Sequence, residues 1–264
     1  MSLPLFFVDD ATAVDALGRA LGDGGGSEVA LRFSRDEMKH LRALRIRAGE
    51  RFVASDGAGR AFEVELAESL DKSSDACRVR VVGRVEAPWR PSLTLVQGVS
   101  KGERMDLLVR QAVEIGVARI VPAMTARCIV SLDADKRAAR GERWRQVARA
   151  AAKQSGQPVV PQIADPIDFD EAVRLAAAEA DVVVVPWEES KDGSIARVLR
   201  NAGADARVFL FIGPEGGFER SEIEALEAIG ARVVTLGSTI LRTETAGVIA
   251  SALAIYELGG LGNK

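Results

Sequence analysis

Up to residue 86 the chain carries short runs in which apolar and polar positions alternate. With the all-apolar run at 5–8, these segments predict strands at residues 5–8, 28–33, 51–55, 60–66 and 77–85. Gly22-Asp23-Gly24-Gly25-Gly26 and Ser55-Asp56-Gly57-Ala58-Gly59 punctuate them as turns. Short strands at this spacing suggest a small β-barrel. Residues 36–44 break the alternation with helical character and are expected to carry Arg42 and Arg45 on one face at the helix end. Glu86-Ala87-Pro88-Trp89-Arg90-Pro91 then interrupts regular structure, since proline fixes φ and removes a backbone donor. That stiff connector marks a boundary between a first domain, 1–86, and a second, 92–264.

Beyond it the pattern changes to strand and helix in alternation. Strands are predicted at 93–96, 120–123, 181–185, 208–212 and 232–236, and helices at 103–115, 136–155, 194–201, 221–229 and 245–258. Such alternation predicts a parallel sheet with helices on its faces. On the 136–155 helix Trp144, Val147, Ala148 and Ala151 form an apolar arc. Lys136, Arg140 and Arg143 line one flank of it, and Arg145, Arg149 and Lys153 the other. Ser221 with Glu224 three residues later reads as a capping box for the 221–229 helix.

Composition narrows the class. With 264 residues, 47 % of them apolar, the chain can bury a sizeable core in one or two domains. It has neither a long uninterrupted apolar run nor a basic-then-apolar leader pattern, so a soluble cytoplasmic protein is expected. Cys77 and Cys128 are read as reduced core residues. With one histidine, His40, no zinc spacing can be assembled, and no metal is expected. The formal charge of −3 is unevenly spread. Arg32, Arg35, Lys39, Arg42, Arg45, Arg47 and Arg51 outnumber Asp36, Glu37 and Glu50. Lys136, Arg137, Arg140, Arg143, Arg145, Arg149 and Lys153 face Glu142 alone in their segment. A single such segment is consistent with a solvated helix, whereas two in one acidic chain point to a polyanion partner.

The chemistry concentrates near the carboxyl end. The apolar run Phe209-Leu210-Phe211-Ile212 enters Gly213-Pro214-Glu215-Gly216-Gly217, which displays one carboxylate at a strand's carboxyl end, where open α/β sheets bind ligands. A second strand leads through Leu236, Gly237, Ile240 and Leu241 to Arg242-Thr243-Glu244-Thr245-Ala246 and an alanine-rich helix, whose positive dipole end suits an anion. Capping by Thr243 is the simpler reading of the same residues. Gly22-Asp23-Gly24-Gly25-Gly26-Ser27 fails the dinucleotide fingerprint, because its third glycine is Ser27 and a helical stretch precedes it. No GxxxxGK[ST] occurs, and His40 lacks a serine or cysteine partner in a nucleophile elbow and reads as a surface or RNA-facing residue.

These two loops together resemble the signature of the ribosomal RNA small subunit methyltransferase E family (RsmE), of the SPOUT class. The likeness extends to Lys101-Gly102-Glu103-Arg104-Met105, Glu114-Ile115-Gly116, Pro122, Arg127-Cys128, Trp144, Gln154-Ser155-Gly156 and Pro161, and in the first domain to Arg42, Leu44, Arg45, Gly49 and Asp56-Gly57. The chain departs from the family's pattern at Leu5, Gln111, Lys153, Gln157 and Val159, positions that bear on RNA contacts rather than on the cofactor.

The resemblance implies an α/β protein in which a PUA-like β-barrel precedes a SPOUT-type domain with a deep C-terminal trefoil knot, dimerising through its knot helices. It implies S-adenosylmethionine as cofactor, 16S ribosomal RNA as substrate and N3 of a uridine as methyl acceptor. Gly213, Gly216, Gly217 and Gly237 are expected to let the backbone wrap the adenosine, with Leu236, Ile240 and Leu241 on the adenine. The imide proton must leave before N3 can attack. Glu215 is one candidate base and Glu244 another, and Arg242 is placed to stabilise the resulting oxyanion. The alternative reading of Glu215 is a residue that holds the turn or caps the next helix. Arg42, Arg45, Lys101, Arg104, Arg145, Arg149 and Gln154 are the expected RNA contacts. A ribose 2′-O-methyltransferase and a non-catalytic RNA-binding assembly factor are the rival readings.

Overall fold

The computed structural model describes residues 3–22, 27–71 and 74–262. The glycine-rich stretch at 23–26 singled out above lies outside the described residues. In chain order the elements are β1 (Leu5–Phe7), α1 (Ala11–Gly22), β2 (Glu28–Arg32), α2 (Arg35–Ala43), β3 (Arg51–Ser55), β4 (Ala61–Leu66), β5 (Ala76–Val85), β6 (Leu93–Gly98), α3 (Arg104–Glu114) and β7 (Arg119–Met124). They continue with α4 (Ala134–Gln154), β8 (Gln162–Ile163), β9 (Ile167–Asp168), α5 (Phe169–Glu179), β10 (Val182–Pro186), α6 (Ile195–Leu199), β11 (Val208–Ile212), α7 (Arg220–Ala228), β12 (Arg232–Val234) and α8 (Thr243–Glu257).

Two compact units emerge: Met1–Pro88 with Ala152–Val160, and Trp89–Ala151 with Pro161–Lys264. The first is built on a five-stranded mixed sheet in the order β1-β3-β4-β5-β2. Only β1 and β3 run parallel. Among the described residues β1 and β2 form the two edges, so the small β-barrel expected is a curled half-barrel. Alternation works as anticipated along β2, whose Val29 and Leu31 turn inward. Phe6 and Phe52 pack edge to face at 5.3 Å in the core, joined by Val14 and Leu17 from α1. The sheet's polar face carries cross-strand pairs, with Arg51 to Glu63 at 2.9 Å and Arg80 to Glu28 at 3.0 Å.

The second unit has a parallel sheet in the order β12-β10-β11-β6-β7-β8, with β9 also paired to β7. Every residue of β6 and β11 is buried, as expected of strands covered on both faces. Phe169, Ala172, Phe209, Phe211, Phe218 and Ile223 fill one side of it. Helix α5 and the two-residue strands β8 and β9 were not foreseen. Strand β12 stops at Val234 and α8 begins at Thr243, which moves Thr243 and Glu244 into a first helical turn. The capping box belongs to Glu219 and Glu222, with the Glu222 carboxylate accepting from the Glu219 N–H at 2.8 Å, and Ser221 falls within the first turn. Among the described residues, no helix is long and apolar enough to cross a membrane.

Candidate active site

Because the sheet is parallel, the carboxyl ends of β6, β10, β11 and β12 lie at one edge, and α8 starts beside them. There the loops after β10, β11 and β12 enclose a cavity of about 530 Å³, a volume suited to a small-molecule ligand. The turn after β11 is closed by the Gly217 N–H donating to the Pro214 carbonyl at 3.0 Å, with Gly217 at φ +70°. It is fixed to its surroundings from three directions. The Thr243 hydroxyl donates to the Gly213 carbonyl at 2.5 Å and accepts from Gln97 Nε2 at 2.8 Å. Gly98 lies so close that a Cβ there would collide with the Pro214 backbone nitrogen. From the loop after β7, Arg127 Nη1 donates to the Gly216 carbonyl at 3.1 Å, and the Ala126 N–H donates to the buried Glu222 at 2.9 Å. Thr243 therefore ties two loops together and is not the helix cap, a position held by Arg242.

The glycines of the turn turn out to serve different ends. Side chains at Gly213 and Gly216 would strike the Gly217–Phe218 backbone and Arg127, and one at Gly217 would strike the Glu188 carboxylate. These three permit the turn to pack. Gly237, at φ +118°, has open space where a Cβ would stand and is the glycine that gives a ligand free approach. Beside it Leu236 and Leu241 are half-buried, while Ile240 is 89 % exposed.

The charged groups meet in one place. Glu215 Oε1 accepts from Arg104 Nη1 at 2.8 Å and from the Lys101 N–H at 3.1 Å. The same guanidinium reaches Glu244 Oε1 with its Nε at 3.9 Å. The second oxygens, Glu215 Oε2 and Glu244 Oε2, are buried and have no hydrogen-bond partner among the described residues. Glu215 is therefore not a cap for α7. Arg242 is exposed and lines the same cavity. The sequence brought Glu215, Arg242, Glu244 and both loops together, and Arg127 entered only through the family likeness, whereas Trp187, Glu188 and Gln97 were missed. Glu188 could have been found, since it stands just past an apolar run at a strand's carboxyl end, the signal already used for Glu215.

The remaining basic residues sit elsewhere. Arg42 donates to the carbonyls of Asp71, at 3.1 Å, and of Ser74. Arg45 follows α2 at φ +55°, so the two do not share a helical face. On α4, Arg145 pairs with Asp165 at 2.9 Å and Glu142 at 3.2 Å. Lys136 pairs with Asp133, Arg137 with Asp168, and Arg143 with Asp106. The basic surplus of that segment is thus largely met by acids distant in sequence. Arg149 is half-buried on α4. Gln154 ends the helix and lines a cleft in the first unit with Leu3, Leu44, Ile46 and Lys153. Lys153 itself makes a buried pair with Glu37 at 2.6 Å and lies 4.9 Å over the Phe6 ring. His40 packs its ring edge-on to Phe6 at 5.6 Å, and burial, aided by the Lys153 charge, lowers its pKa. Cys77 and Cys128 are free thiols, and burial pushes that of Cys77 up to about 12. No group of three or more His, Cys, Asp or Glu that could hold a metal occurs among the described residues.

Comparison with known proteins bears on this site. An RNA methyltransferase domain family matches residues 87–255, and an RNA methyltransferase PUA domain family matches residues 33–74. The chain is 32 % identical over 250 residues to ribosomal RNA small subunit methyltransferase E from Mycobacterium tuberculosis, covering 93 % of this chain and 88 % of that protein. It is 28 % identical to the Bacillus subtilis protein of the same name, over 84 % of this chain and 88 % of that one. Among solved structures it is similar to a Neisseria gonorrhoeae ribosomal RNA small subunit methyltransferase E bound to S-adenosyl methionine. That likeness has a TM-score of 0.73 and 28 % identity, covering 95 % of this chain and 96 % of the other.

Proposed function

The chain belongs to the ribosomal RNA small subunit methyltransferase E family, and from that premise we propose that it methylates N3 of a uridine near the decoding site of 16S ribosomal RNA, with S-adenosylmethionine as methyl donor. The observation that carries the reading is the cavity at the carboxyl ends of β10, β11 and β12, where two glycine-bearing loops meet carboxylates joined through Arg104. The residues present fit the donor. Leu236, Ile240 and Leu241 offer apolar surface for an adenine, Gly237 leaves the backbone open, and two buried carboxylate oxygens without partners suit a cationic ligand. S-adenosylmethionine, when bound, supplies an electrophilic methyl group.

The chain's own part is to prepare the acceptor. Uridine N3 attacks only after losing its proton, and it lies on the Watson–Crick edge, so the base must be unpaired or flipped out. Glu215 is assigned as the base, because two donors fix its Oε1 and leave Oε2 for the proton. Glu244 is the alternative base. Arg242, exposed at the cavity, is assigned to the uridylate oxygen.

In this reading residues 1–86 form the RNA-binding domain and 92–264 the donor-binding, knotted domain. Arg42, Arg45, Lys101, Arg145, Arg149 and Gln154 contact RNA, chiefly its phosphates, and Arg104 is moved into the cavity as the clamp between carboxylates. A homodimer is supported by the exposed Ile249, Leu253 and Tyr256, which share one stripe of α8, and by Leu107 on α3, which packs against α8. The place of action is the cytoplasm, with the ribosome. The test is transfer of labelled methyl from S-adenosylmethionine to small ribosomal subunits lacking the modification, with digestion and mass identification of nucleosides. 3-Methyluridine is expected; a ribose-methylated nucleoside would sink the reading.

A further inference from the structure

Five charged residues line the cavity: Arg104, Glu188, Glu215, Arg242 and Glu244. Three carboxylates against two guanidiniums leave one formal negative charge. Arg104 is the one cation shared by Glu215 and Glu244, at 2.8 Å and 3.9 Å, and each carboxylate keeps an oxygen that is buried and unpartnered. The two side chains are only 16 % and 12 % exposed, so water compensates that charge weakly.

We infer that the Glu215–Arg104–Glu244 cluster sets the cavity's preference between the methyl donor and its demethylated product by charge. The inference rests on the methyl-donor reading above. S-adenosylmethionine carries a sulfonium, an ammonium and a carboxylate, net +1. The thioether product, S-adenosylhomocysteine, has lost the sulfonium charge and is net neutral. The two molecules share adenosine and amino-acid groups, so contacts to those parts cannot separate them. A buried, under-neutralised pair of carboxylates can, since it is attracted to the extra cation and loses that attraction once the methyl group has left. Specificity is a difference of affinities, and here one charge supplies the difference. Its consequence is donor retention before transfer and product escape afterwards. Glu244 is assigned here as a specificity-determining residue, whichever carboxylate takes the N3 proton.

The test is calorimetric binding to the full chain at pH 8. Three ligands are compared: S-adenosylmethionine, S-adenosylhomocysteine, and an analogue with an amine-bearing carbon in place of the sulfonium. The unaltered protein is expected to bind both cationic ligands about tenfold or more tightly than the thioether. In Glu244→Gln that ratio is expected to collapse towards unity, chiefly by weaker binding of the cations, with thioether affinity retained. Retained thioether binding also shows that the variant is folded. Equal affinity of the unaltered protein for all three ligands would overturn the inference while leaving the methyl-donor site standing. So would an unchanged ratio in Glu244→Gln. Failure of every ligand to bind would overturn the methyl-donor reading, and the inference with it.

Discussion

Two half-buried clusters of charge in this molecule are built on opposite plans. In the first unit Lys153 and Glu37 meet one to one at 2.6 Å, both side chains nearly covered and the ammonium also seated over Phe6. At the cavity of the second unit one guanidinium serves two carboxylates, and two oxygens stay buried and unpaired. In the first arrangement each charge has one opposite partner. The second bears the cost of unmet hydrogen-bonding capacity in the free protein.

The comparison breaks most sharply under substitution at the cavity. Glu215→Gln is expected to lower the rate of methyl transfer about 10²–10⁴-fold, the usual contribution of a general base, while the thermal midpoint changes little; undiminished turnover would pass the base role to Glu244. Next in size is Glu37→Gln in the first unit. Removing one partner of a buried pair costs about 3–5 kcal/mol, so denaturant unfolding should shift strongly while calorimetric donor affinity is kept. If Glu37→Gln proved neutral in stability, the contrast between the two clusters would fall. Gly98→Ala should cost about 1–3 kcal/mol by overpacking and also weaken donor binding, because a methyl group there pushes the Pro214 turn out of place. The smallest effect belongs to the exposed Asp181, whose pKa is lowered from 3.8 to about 2 by hydrogen bonds from the Arg207 side chain and backbone. A folded pKa below the unfolded one gives stability that is present above pH 3.8 and lost as pH falls towards 2. Asp181→Asn should therefore alter acid unfolding only slightly, and near neutrality leave methyl transfer unchanged.

Much of this was legible in the chain. Strand β11 announces itself as a continuous apolar run, and Gly213 to Gly217 as a turn at a strand's end, because both signals are local. Charge pairing was not legible, for the opposite reason. Arg104 and Glu215 are 111 residues apart, and Arg143 and Asp106 are 37. Counting signs along α4 therefore gave a basic helix where the folded protein has ion pairs. Ser221 and Glu224 fit the capping pattern as well as the true pair does, and spacing alone could not show that the cap lies two residues earlier, at Glu219. The β8 and β9 strands, two residues each, are too short to carry a period.

Tyr256, 62 % exposed on the uncovered stripe of α8, is the single tyrosine of the chain. Nature has thus supplied a one-site label at the face assigned to a second copy. A fluorinated tyrosine incorporated during growth yields one resonance, and its shift and linewidth upon dilution report whether that face is covered, with no mutation and no tag.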